Sequence, residues 1–318
     1  RNARVRGVRR TESGIEVVDL PEPKGDGVRV RVESIGICQT DLALSEMGPL
    51  PFTMGHEFAG MLDDGTPVGV QPTVPCGHCE LCRNGDSVWC AEGYQRLIGI
   101  GQDGGMADEV IVPSTSIVPL PRGLDAKSGA NLIEPLAIHL HTLDLTRTTG
   151  RHRILVVGAN QSGFGILAVA AALARGGEHV DFEGEREFQS DAAARLGAGI
   201  RPSGQYDLVI EAEGTEEAIH RAAEWCRPGG TLALVAGYYT PKTWNFTTAF
   251  VKELTVVFGA FYGHSATGRD VDAAATLLGR NPRIAEIVNT HRFPLDAAAD
   301  AFAFAASDSE SLKVVIEP

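Results

Sequence analysis

Residues 153–177, RILVVGANQSGFGILAVAAALARGG, decide the fold class of this chain. After its first residue, the run RILVVGA is apolar throughout, which is typical of a strand buried on both faces of a parallel sheet. A glycine-containing turn follows, and the alanine-rich stretch 165–177 then predicts a helix. A strand, a tight turn and a helix in this order are the start of a nucleotide-binding β-α-β unit.

The alternation of strands and helices continues to about residue 260. EHVDFE and DLVIEAEG predict strands, whereas DAAARLGAG and EEAIHRAAEW predict helices; TLALVAG and LTVVFGA predict two further strands. Such alternation builds a doubly wound parallel sheet, so we expect residues 136–260 to form a Rossmann-type domain.

Residues 1–135 have a different pattern. Short β patterns such as VRVRVESIGI at 28–37 and DEVIVP at 108–113 are separated by glycine and proline, which predicts a small barrel-like β domain. Residues 261–318 return to mixed helix and strand. The predicted fold class is therefore α/β, with a β-rich domain in addition to the doubly wound sheet.

The turn at 158–163 departs from the Gly-x-Gly-x-x-Gly pattern of dinucleotide sites. It reads GANQSG, so Asn160 stands where the central glycine is usual. Asparagine tolerates left-handed backbone angles, and the following helix N-terminus offers N–H groups to an anion. A degenerate turn that no longer binds a dinucleotide is the alternative. We expect a dinucleotide site here, formed by Gly158, Asn160, Ser162 and Gly163.

The acidic stretch HVDFEGERE at 179–187 bears on the choice of dinucleotide. A carboxylate about 20 residues beyond the glycines accepts hydrogen bonds from the adenosine ribose and repels a 2′-phosphate. Glu183 has this spacing, with Asp181 and Glu185 as rivals, and a solvated acidic turn is the non-functional interpretation. Because Arg186 is available to pair with a phosphate, the sequence favours NAD over NADP without excluding NADP.

Four cysteines lie in PCGHCELCRNGDSVWC at 75–90, and they predict a structural zinc. Three of them recur at every third residue, so one turning loop can direct three thiolates at one point. Zn²⁺ prefers four soft ligands in tetrahedral geometry, and a closed shell leaves no position for chemistry. The alternative is two disulfides, which need an oxidising compartment. The predicted zinc lobe, at 76–90, uses Cys76, Cys79, Cys82 and Cys90.

Three other segments carry candidate ligands of a second, open zinc site. Cys38 lies in GICQTD, His56 and Glu57 lie in MGHEFAG, and Glu134 lies in NLIEPLAIHLH. A cysteine, a histidine and a carboxylate form a three-ligand site whose fourth position is open to substrate. A single buried cysteine is usually only a small hydrophobe, but this order of motifs is hard to reach by chance. We expect Cys38 and His56 as ligands, and either Glu57 or Glu134 as the third.

With these motifs, and with DGGMADEVIVP at 103–113, the chain resembles the zinc-dependent medium-chain alcohol and polyol dehydrogenases over nearly its whole length. The resemblance implies a GroES-like catalytic domain at 1–135, completed by 261–318, with two Zn²⁺ per subunit. It also implies an NAD(P)-binding Rossmann domain and assembly into a homodimer or homotetramer. Glutamate at position 134, rather than cysteine, is similar to the sorbitol, threonine and butanediol dehydrogenase branch.

The family resemblance also implies a reaction, in which a hydride passes between a secondary alcohol of a polyol, sugar or related polar compound and NAD(P). Zinc acts there as a Lewis acid on the substrate oxygen. Thr40 matches the hydroxyl that accepts the substrate proton, although it can also bond its own backbone as an ordinary strand-end threonine. Relatives continue the relay through a nearby histidine, and the stretch DLALS at 41–45 has none.

Composition limits the classes of partner. The formal charge of −13 argues against nucleic acid and anionic membranes, which require clustered lysine and arginine. No apolar run approaches the roughly 18 residues of a membrane span. Five of the six cysteines are assigned to zinc, which leaves only Cys226 and fits a reducing cytoplasm. We expect a small-molecule alcohol or ketone as the partner.

A catalytically silent, zinc-stabilised nucleotide-binding relative is the competing hypothesis. Two features favour this hypothesis: Asn160 replaces the central glycine of the turn, and the relay histidine is missing from 41–45. The intact set of Cys38, His56, Glu57 and Glu134 favours the enzyme, because a protein freed from catalysis has no stability reason to keep an open metal shell.

Overall fold

The computed structural model describes residues 4–265, 268–307 and 310–318. They form two compact units, of which unit 1 comprises Arg1–Glu134 and Thr267–Pro318 and unit 2 comprises Pro135–Ala266. The strands are β1 (Arg4–Thr11), β2 (Gly14–Pro21), β3 (Val28–Gly36), β4 (Glu57–Met61), β5 (Pro67–Val70), β6 (Glu109–Val112), β7 (Ile117–Pro119), β8 (Arg153–Val157), β9 (His179–Glu183), β10 (Tyr206–Glu211), β11 (Cys226–Leu234), β12 (Thr255–Phe258), β13 (His264–Ser265), β14 (Gly268–Arg269), β15 (Asn289–Pro294) and β16 (Lys313–Glu317).

The helices lie mostly in the second half of the chain. They are α1 (Gln39–Ser45), α2 (Glu80–Arg83), α3 (Ile133–Leu145), α4 (Phe164–Ala174), α5 (Glu187–Leu196), α6 (Glu216–Trp225), α7 (Thr247–Val251), α8 (Asp270–Arg280), α9 (Arg283–Val288) and α10 (Ala298–Ala306). None of the helices in the described ranges is long and apolar enough to cross a bilayer.

Unit 1 is built around a seven-stranded sheet. Its order is β15-β16-β3-β4-β5-β7, with β6 also paired to β3, and β1 and β2 form a separate antiparallel hairpin. Val30 and Val32 on β3 face the core together with Phe58, and Phe302 of α10 packs into the same cluster. Over residues 30–34, buried residues of β3 alternate with more exposed ones, as a sheet with one covered face requires.

The register of three strands positions the two motifs that contain Cys38, His56 and Glu57. Glu57, the first residue of β4, lies opposite Gly36, the last residue of β3. On the other side of β3, Val315 of β16 pairs with Gly36, and Lys313 begins β16. The chain leaves β3 directly into Cys38. The motifs at 36–41 and 54–60 therefore meet at one end of the sheet.

Unit 2 contains a five-stranded, wholly parallel sheet in the order β12-β11-β10-β8-β9. The predicted α/β class with a Rossmann-type sheet is confirmed. α4 follows β8, and nine of its eleven residues are buried, because a helix that is apolar all round must be covered on all sides. The first strand, β8, has β9 on one side and β10 on the other. Ligands of such sheets bind at this switch in strand order.

The connection that precedes β10 is short. Only six residues separate Gly199 from Tyr206, and Gly199 forms an isolated parallel bridge to Asp181 of β9. Tyr206 at the start of β10 is fully buried and donates a hydrogen bond to Asp181 Oδ2 at 2.5 Å. Burial, with this bond, raises the pKa of Tyr206 to about 12. Asp181 of β9 therefore contacts both ends of this connection, through Gly199 and through Tyr206.

Candidate active site

Cys38, His56 and Glu57 converge in unit 1. One ligand atom from each lies within 4.8 Å of the other two. Cys38 precedes the first turn of α1, and the histidine and glutamate are adjacent at the start of β4. His56 and Glu57 are buried, and Cys38 is partly buried. The three side chains that the sequence singles out for an open zinc site therefore lie together.

Glu134, the alternative third ligand, is not part of this group. It is buried in the first turn of α3. Within the part of the chain that the structure describes, its carboxylate does not belong to the group formed by Cys38, His56 and Glu57.

A buried carboxylate, Asp41, supports the cysteine and the histidine. Its Oδ2 accepts a hydrogen bond from the Cys38 backbone N–H at 2.9 Å, which fixes the first turn of α1 as a capping box does. Its Oδ1 lies 3.5 Å from His56 Nδ1. Burial alone would lower the pKa of His56, but the Asp41 charge and the Cys38 thiol outweigh it and raise that pKa well above 6.5.

The carboxylate of Glu57 is held by a buried lysine. Lys313 Nζ lies 2.7 Å from Glu57 Oε2 and 3.0 Å from Oε1, and it also approaches the Ile37 carbonyl at 3.4 Å. Both charged side chains are fully buried. Burial alone would lower the pKa of Lys313, but the negative charge of Glu57 raises it. The ammonium therefore stays charged and compensates the carboxylate.

Gly36 gives Glu57 the room that it needs. A Cβ at this position would lie 2.4 Å from Glu57 Oε2 and 3.0 Å from Lys313 Cδ. The ion pair therefore passes directly over the backbone of β3, and a side chain at position 36 would displace it.

Thr40 lies beside the candidate metal ligands. Its Oγ1 is 3.7 Å from Cys38 Sγ. The hydroxyl that the family resemblance implies as a proton acceptor thus lies next to the cysteine of the converged group.

The donor set of this group suits zinc. Ligand atoms around a tetrahedral zinc stand roughly 3.3–3.8 Å apart, and the Cys38, His56 and Glu57 atoms lie within 4.8 Å of one another. A cysteine sulfur, an imidazole nitrogen and a carboxylate oxygen are the ligand types that zinc binds in proteins.

The four cysteines at 76–90 form a second convergent group. Their sulfurs lie within 4.8 Å of one another, and all four are free thiols rather than disulfide partners. α2 begins after Cys79, whose sulfur accepts from the Cys82 N–H. The backbone N–H groups of Cys82 and Ala91 lower the pKa of Cys79 to about 6. A thiolate in a closed sulfur shell suits a structural zinc.

In unit 2, the turn between β8 and α4 has the backbone of a phosphate-binding turn. Gly158, Asn160 and Gly163 have φ angles of 78°, 45° and 68°. Asn160 thus adopts the left-handed conformation that allows it to replace a glycine, as the sequence predicts. The Asn160 side-chain oxygen accepts from the Ser162 N–H and hydroxyl, each at 2.8 Å. The turn is therefore formed, with part of its donor capacity used internally.

The side-chain carboxylate of Glu213 lies in the same turn. Its Oε2 accepts hydrogen bonds from the backbone N–H groups of Ala159 at 3.0 Å and Asn160 at 2.9 Å. It follows β10, the strand beside β8. The backbone conformation therefore fits a dinucleotide, but a carboxylate of the chain already binds two of the donors.

Glu183 lies at the end of β9, where the sequence predicts a ribose contact. Its carboxylate accepts from Arg221 Nε at 3.0 Å and from the Trp225 indole N–H, both on α6. Arg221 also pairs with Glu185. The rival Asp181 instead accepts from Tyr206. Glu183 therefore lies at the end of the strand, and its carboxylate is hydrogen-bonded to two side chains of α6.

Three functional residues were missed by sequence reasoning: Asp41, Lys313 and Glu213. Asp41 had a local signal, because an acidic residue three positions after a helix-starting residue indicates a capping box. Lys313 is 256 positions from Glu57, and Glu213 is 53 positions from Asn160. No local pattern marks such long-range pairs.

Comparison with known proteins finds one domain model and several relatives that match nearly the whole chain. Residues 24–122 match the model of the alcohol dehydrogenase GroES-like domain. The chain is 29% identical over 312 residues to L-galactonate-5-dehydrogenase of Escherichia coli K12, with 89% of each chain covered. It is 28% identical over 334 residues to galactitol 1-phosphate 5-dehydrogenase of the same organism, with 94% of this chain and 95% of the relative covered.

Solved structures match the fold of this chain over nearly its whole length. Galactitol-1-phosphate dehydrogenase from Escherichia coli matches with a TM-score of 0.84 at 25% identity, covering 98% of this chain and 100% of that one. A candidate zinc-binding dehydrogenase from Sinorhizobium meliloti 1021, bound to NADP, matches with a TM-score of 0.85 at 26% identity, covering 99% and 100%. Residues 24–122 therefore match an alcohol dehydrogenase GroES-like domain, and the whole chain is similar to relatives named as polyol dehydrogenases.

Proposed function

We propose that this enzyme is a zinc-dependent NAD(P) dehydrogenase that interconverts a secondary alcohol and the corresponding ketone. The substrate would be a polyol, a sugar or a related polar compound. The observation that carries the proposal is the convergence of Cys38, His56 and Glu57 within 4.8 Å. Relatives named as sugar-acid, sugar-alcohol and sorbitol dehydrogenases support the substrate class.

The converged side chains would bind a catalytic zinc. We assign Cys38, His56 and Glu57 as the protein ligands, and Glu134 is the alternative to Glu57. When bound, zinc would supply Lewis acidity toward the substrate oxygen, and the dinucleotide would supply the hydride acceptor or donor.

The remaining side chains of unit 1 prepare this site. Asp41 fixes the Cys38 backbone and lies against the His56 ring, which holds both ligands in place. Lys313 compensates the charge of Glu57. Thr40 would accept the proton of the substrate hydroxyl, next to Cys38. Since DLALS at 41–45 contains no histidine, the proton would continue by another route.

We propose a second, structural zinc in the lobe at 76–90, held by Cys76, Cys79, Cys82 and Cys90. The four convergent free thiols support it. A closed sulfur shell adds folding energy to a short loop that has little core of its own.

For the dinucleotide, we propose NAD in preference to NADP. Gly158, Asn160, Ser162 and Gly163 would form the phosphate-binding turn. Glu183 would face the adenosine ribose, and its negative charge would repel a 2′-phosphate. Arg221, which pairs with Glu183, is the residue that would favour NADP if that pair opened.

We also propose a homodimer or homotetramer located in the cytoplasm. Large apolar side chains are exposed beside the edge strand β12, among them Phe250 at 81% and Phe258 at 66%. The free state of all six cysteines supports a reducing compartment. The catalytically silent alternative is not favoured, because the relatives over the whole chain are named as dehydrogenases.

A turnover assay tests the function. Zinc-loaded protein is incubated with NAD⁺ or NADP⁺ and with sorbitol, galactitol 1-phosphate, L-galactonate or 2,3-butanediol, and reduced dinucleotide is measured by absorbance. We expect turnover that His56→Ala abolishes and that a control at the exposed His179, His179→Ala, leaves intact. Equal turnover by His56→Ala would refute the catalytic site. No turnover with any polar secondary alcohol would refute the substrate class.

A further inference from the structure

Two glutamates lie at the end of β10, at the switch in strand order: Glu211 is the last residue of the strand, and Glu213 follows it. Glu211 is fully buried, and its Oε1 accepts from the backbone N–H groups of Glu213 at 2.9 Å and Gly214 at 2.7 Å. Its other oxygen accepts from the Tyr238 hydroxyl. These contacts fix the backbone at position 213. The Glu213 side chain is only partly buried and reaches across to the neighbouring turn.

Glu213 occupies the position of an anion in that turn. Its Oε2 accepts from the Ala159 and Asn160 N–H groups. The approach is close because Gly158 has no side chain: a Cβ there would lie 2.4 Å from the Glu213 Cβ and 2.6 Å from its Oε2. The carboxylate thus sits before α4, where backbone N–H groups favour negative charge.

Two other donors of the turn are also in use. The Gly158 N–H donates to the Glu183 carbonyl at 2.8 Å, and the Ser162 N–H donates to Asn160 Oδ1. A dinucleotide pyrophosphate that approached this turn would compete for the same N–H groups. It would also meet the negative charge of Glu213, and like charges brought together at a binding site lower the affinity.

We propose that Glu213 acts as an internal competitor of the dinucleotide: its carboxylate completes the turn in the free enzyme and must leave the turn when the pyrophosphate binds. This inference rests on the proposed function, because it concerns the same dinucleotide site. Glu213 is therefore a specificity-determining residue that weakens the binding of anionic ligands here. Removing the charge of Glu213 therefore increases the affinity of the turn for the dinucleotide.

Three variants separate charge from shape. Glu213→Gln keeps a side-chain oxygen that can accept from the turn but removes the charge. Glu213→Ala removes both. Glu217→Gln removes the same charge from an exposed position on α6, so it controls for a general change in net charge.

The experiment is calorimetric titration of the zinc-loaded protein with NADH and with NADPH at low and at high salt. We expect Glu213→Gln to bind the preferred dinucleotide roughly tenfold more tightly than wild type, and Glu217→Gln to match wild type. The difference should shrink in high salt, because salt screens the repulsion. Glu213→Ala should also bind more tightly, despite a lower melting temperature.

Unchanged or weaker binding by Glu213→Gln, with measurable binding by wild type, would overturn the inference and leave the proposed function standing. If wild type and Glu213→Gln both failed to bind either dinucleotide, the inference and the NAD(P) part of the function would fall together. Binding by Glu213→Gln alone would support both.

Discussion

At the scale of single residues, the candidate zinc site depends on how buried charges are compensated. Glu57 and Lys313 are both fully buried and contact each other at 2.7 Å. A buried pair adds little net stability compared with apolar residues, but the loss of one partner leaves an uncompensated charge. The lysine is therefore needed wherever Glu57 stays ionised, whether or not metal is bound.

Lys313→Met tests this dependence. We expect the free energy of unfolding to fall by about 3–5 kcal/mol, because Glu57 is left buried without its partner. Denaturant unfolding at neutral pH in the presence of a chelator measures the change. Adding Glu57→Gln to Lys313→Met should recover part of the loss. A Lys313→Met protein within about 1 kcal/mol of wild type would contradict the account.

A second residue-scale prediction concerns pH and the pair of Arg6 and Asp108. Asp108 accepts from the Arg6 guanidinium at 2.6 Å and from its backbone N–H at 2.7 Å. Burial alone would raise the pKa of Asp108, but these bonds lower it below 3.8. The stabilisation is thus fully present above pH 3.8 and is lost as pH falls through the lowered pKa.

We therefore expect Asp108→Asn to lower the free energy of unfolding by about 1 kcal/mol at pH 7, a modest effect because the pair is partly exposed. The difference from wild type should shrink below pH 3.8. Urea unfolding across pH measures it, with the exposed Asp63→Asn as control. A gap that stayed constant down to the lowest pH would show that the Arg6 contact does not act through charge.

At the scale of elements, the sequence predicted those structural features that depend on residues close together in the chain. The strand at 153–157, the turn and α4 could be predicted because apolar runs, glycines and alanines determine the conformation of residues only a few positions away. The cysteine lobe was readable because its spacing sets its geometry. The pairing of Glu213 with the turn was not, because it depends on which strand lies beside β8. Lys313 was likewise invisible until β16 was placed against β3.

The zinc lobe gives an element-scale prediction. α2 has four residues, none of them buried, so the lobe has no apolar core of its own to hold its shape. We expect Cys79→Ser to lose one zinc per subunit, to lower the melting temperature and to expose 76–90 to proteases. Glu80→Gln, an exposed neighbour, should behave as wild type. A Cys79→Ser protein that kept its zinc and its protease resistance would argue against a structural metal.

At the scale of the whole molecule, the apolar surface at one edge of the five-stranded sheet needs an explanation. β12 is the last strand in the sheet order, and the side chains of Phe250, Val251 and Phe258 are mostly exposed nearby. An open, apolar strand edge is a place where a second copy can pair.

Phe258→Asp should therefore shift the proposed homodimer or homotetramer toward smaller species. Sedimentation velocity measures the shift, and Tyr94→Asp, at another exposed aromatic residue of 68% exposure, is the control. An unchanged sedimentation coefficient for Phe258→Asp would place the subunit contact elsewhere.

The most direct test of the catalytic zinc is metal content. Zinc per subunit is measured by elemental analysis on wild type, Cys38→Ala and Cys79→Ser, after reconstitution with zinc and removal of excess metal. We expect a content near two for wild type and near one for each variant, with turnover lost in Cys38→Ala while its fold is kept. A Cys38→Ala protein with the same zinc content and the same turnover as wild type would contradict this expectation.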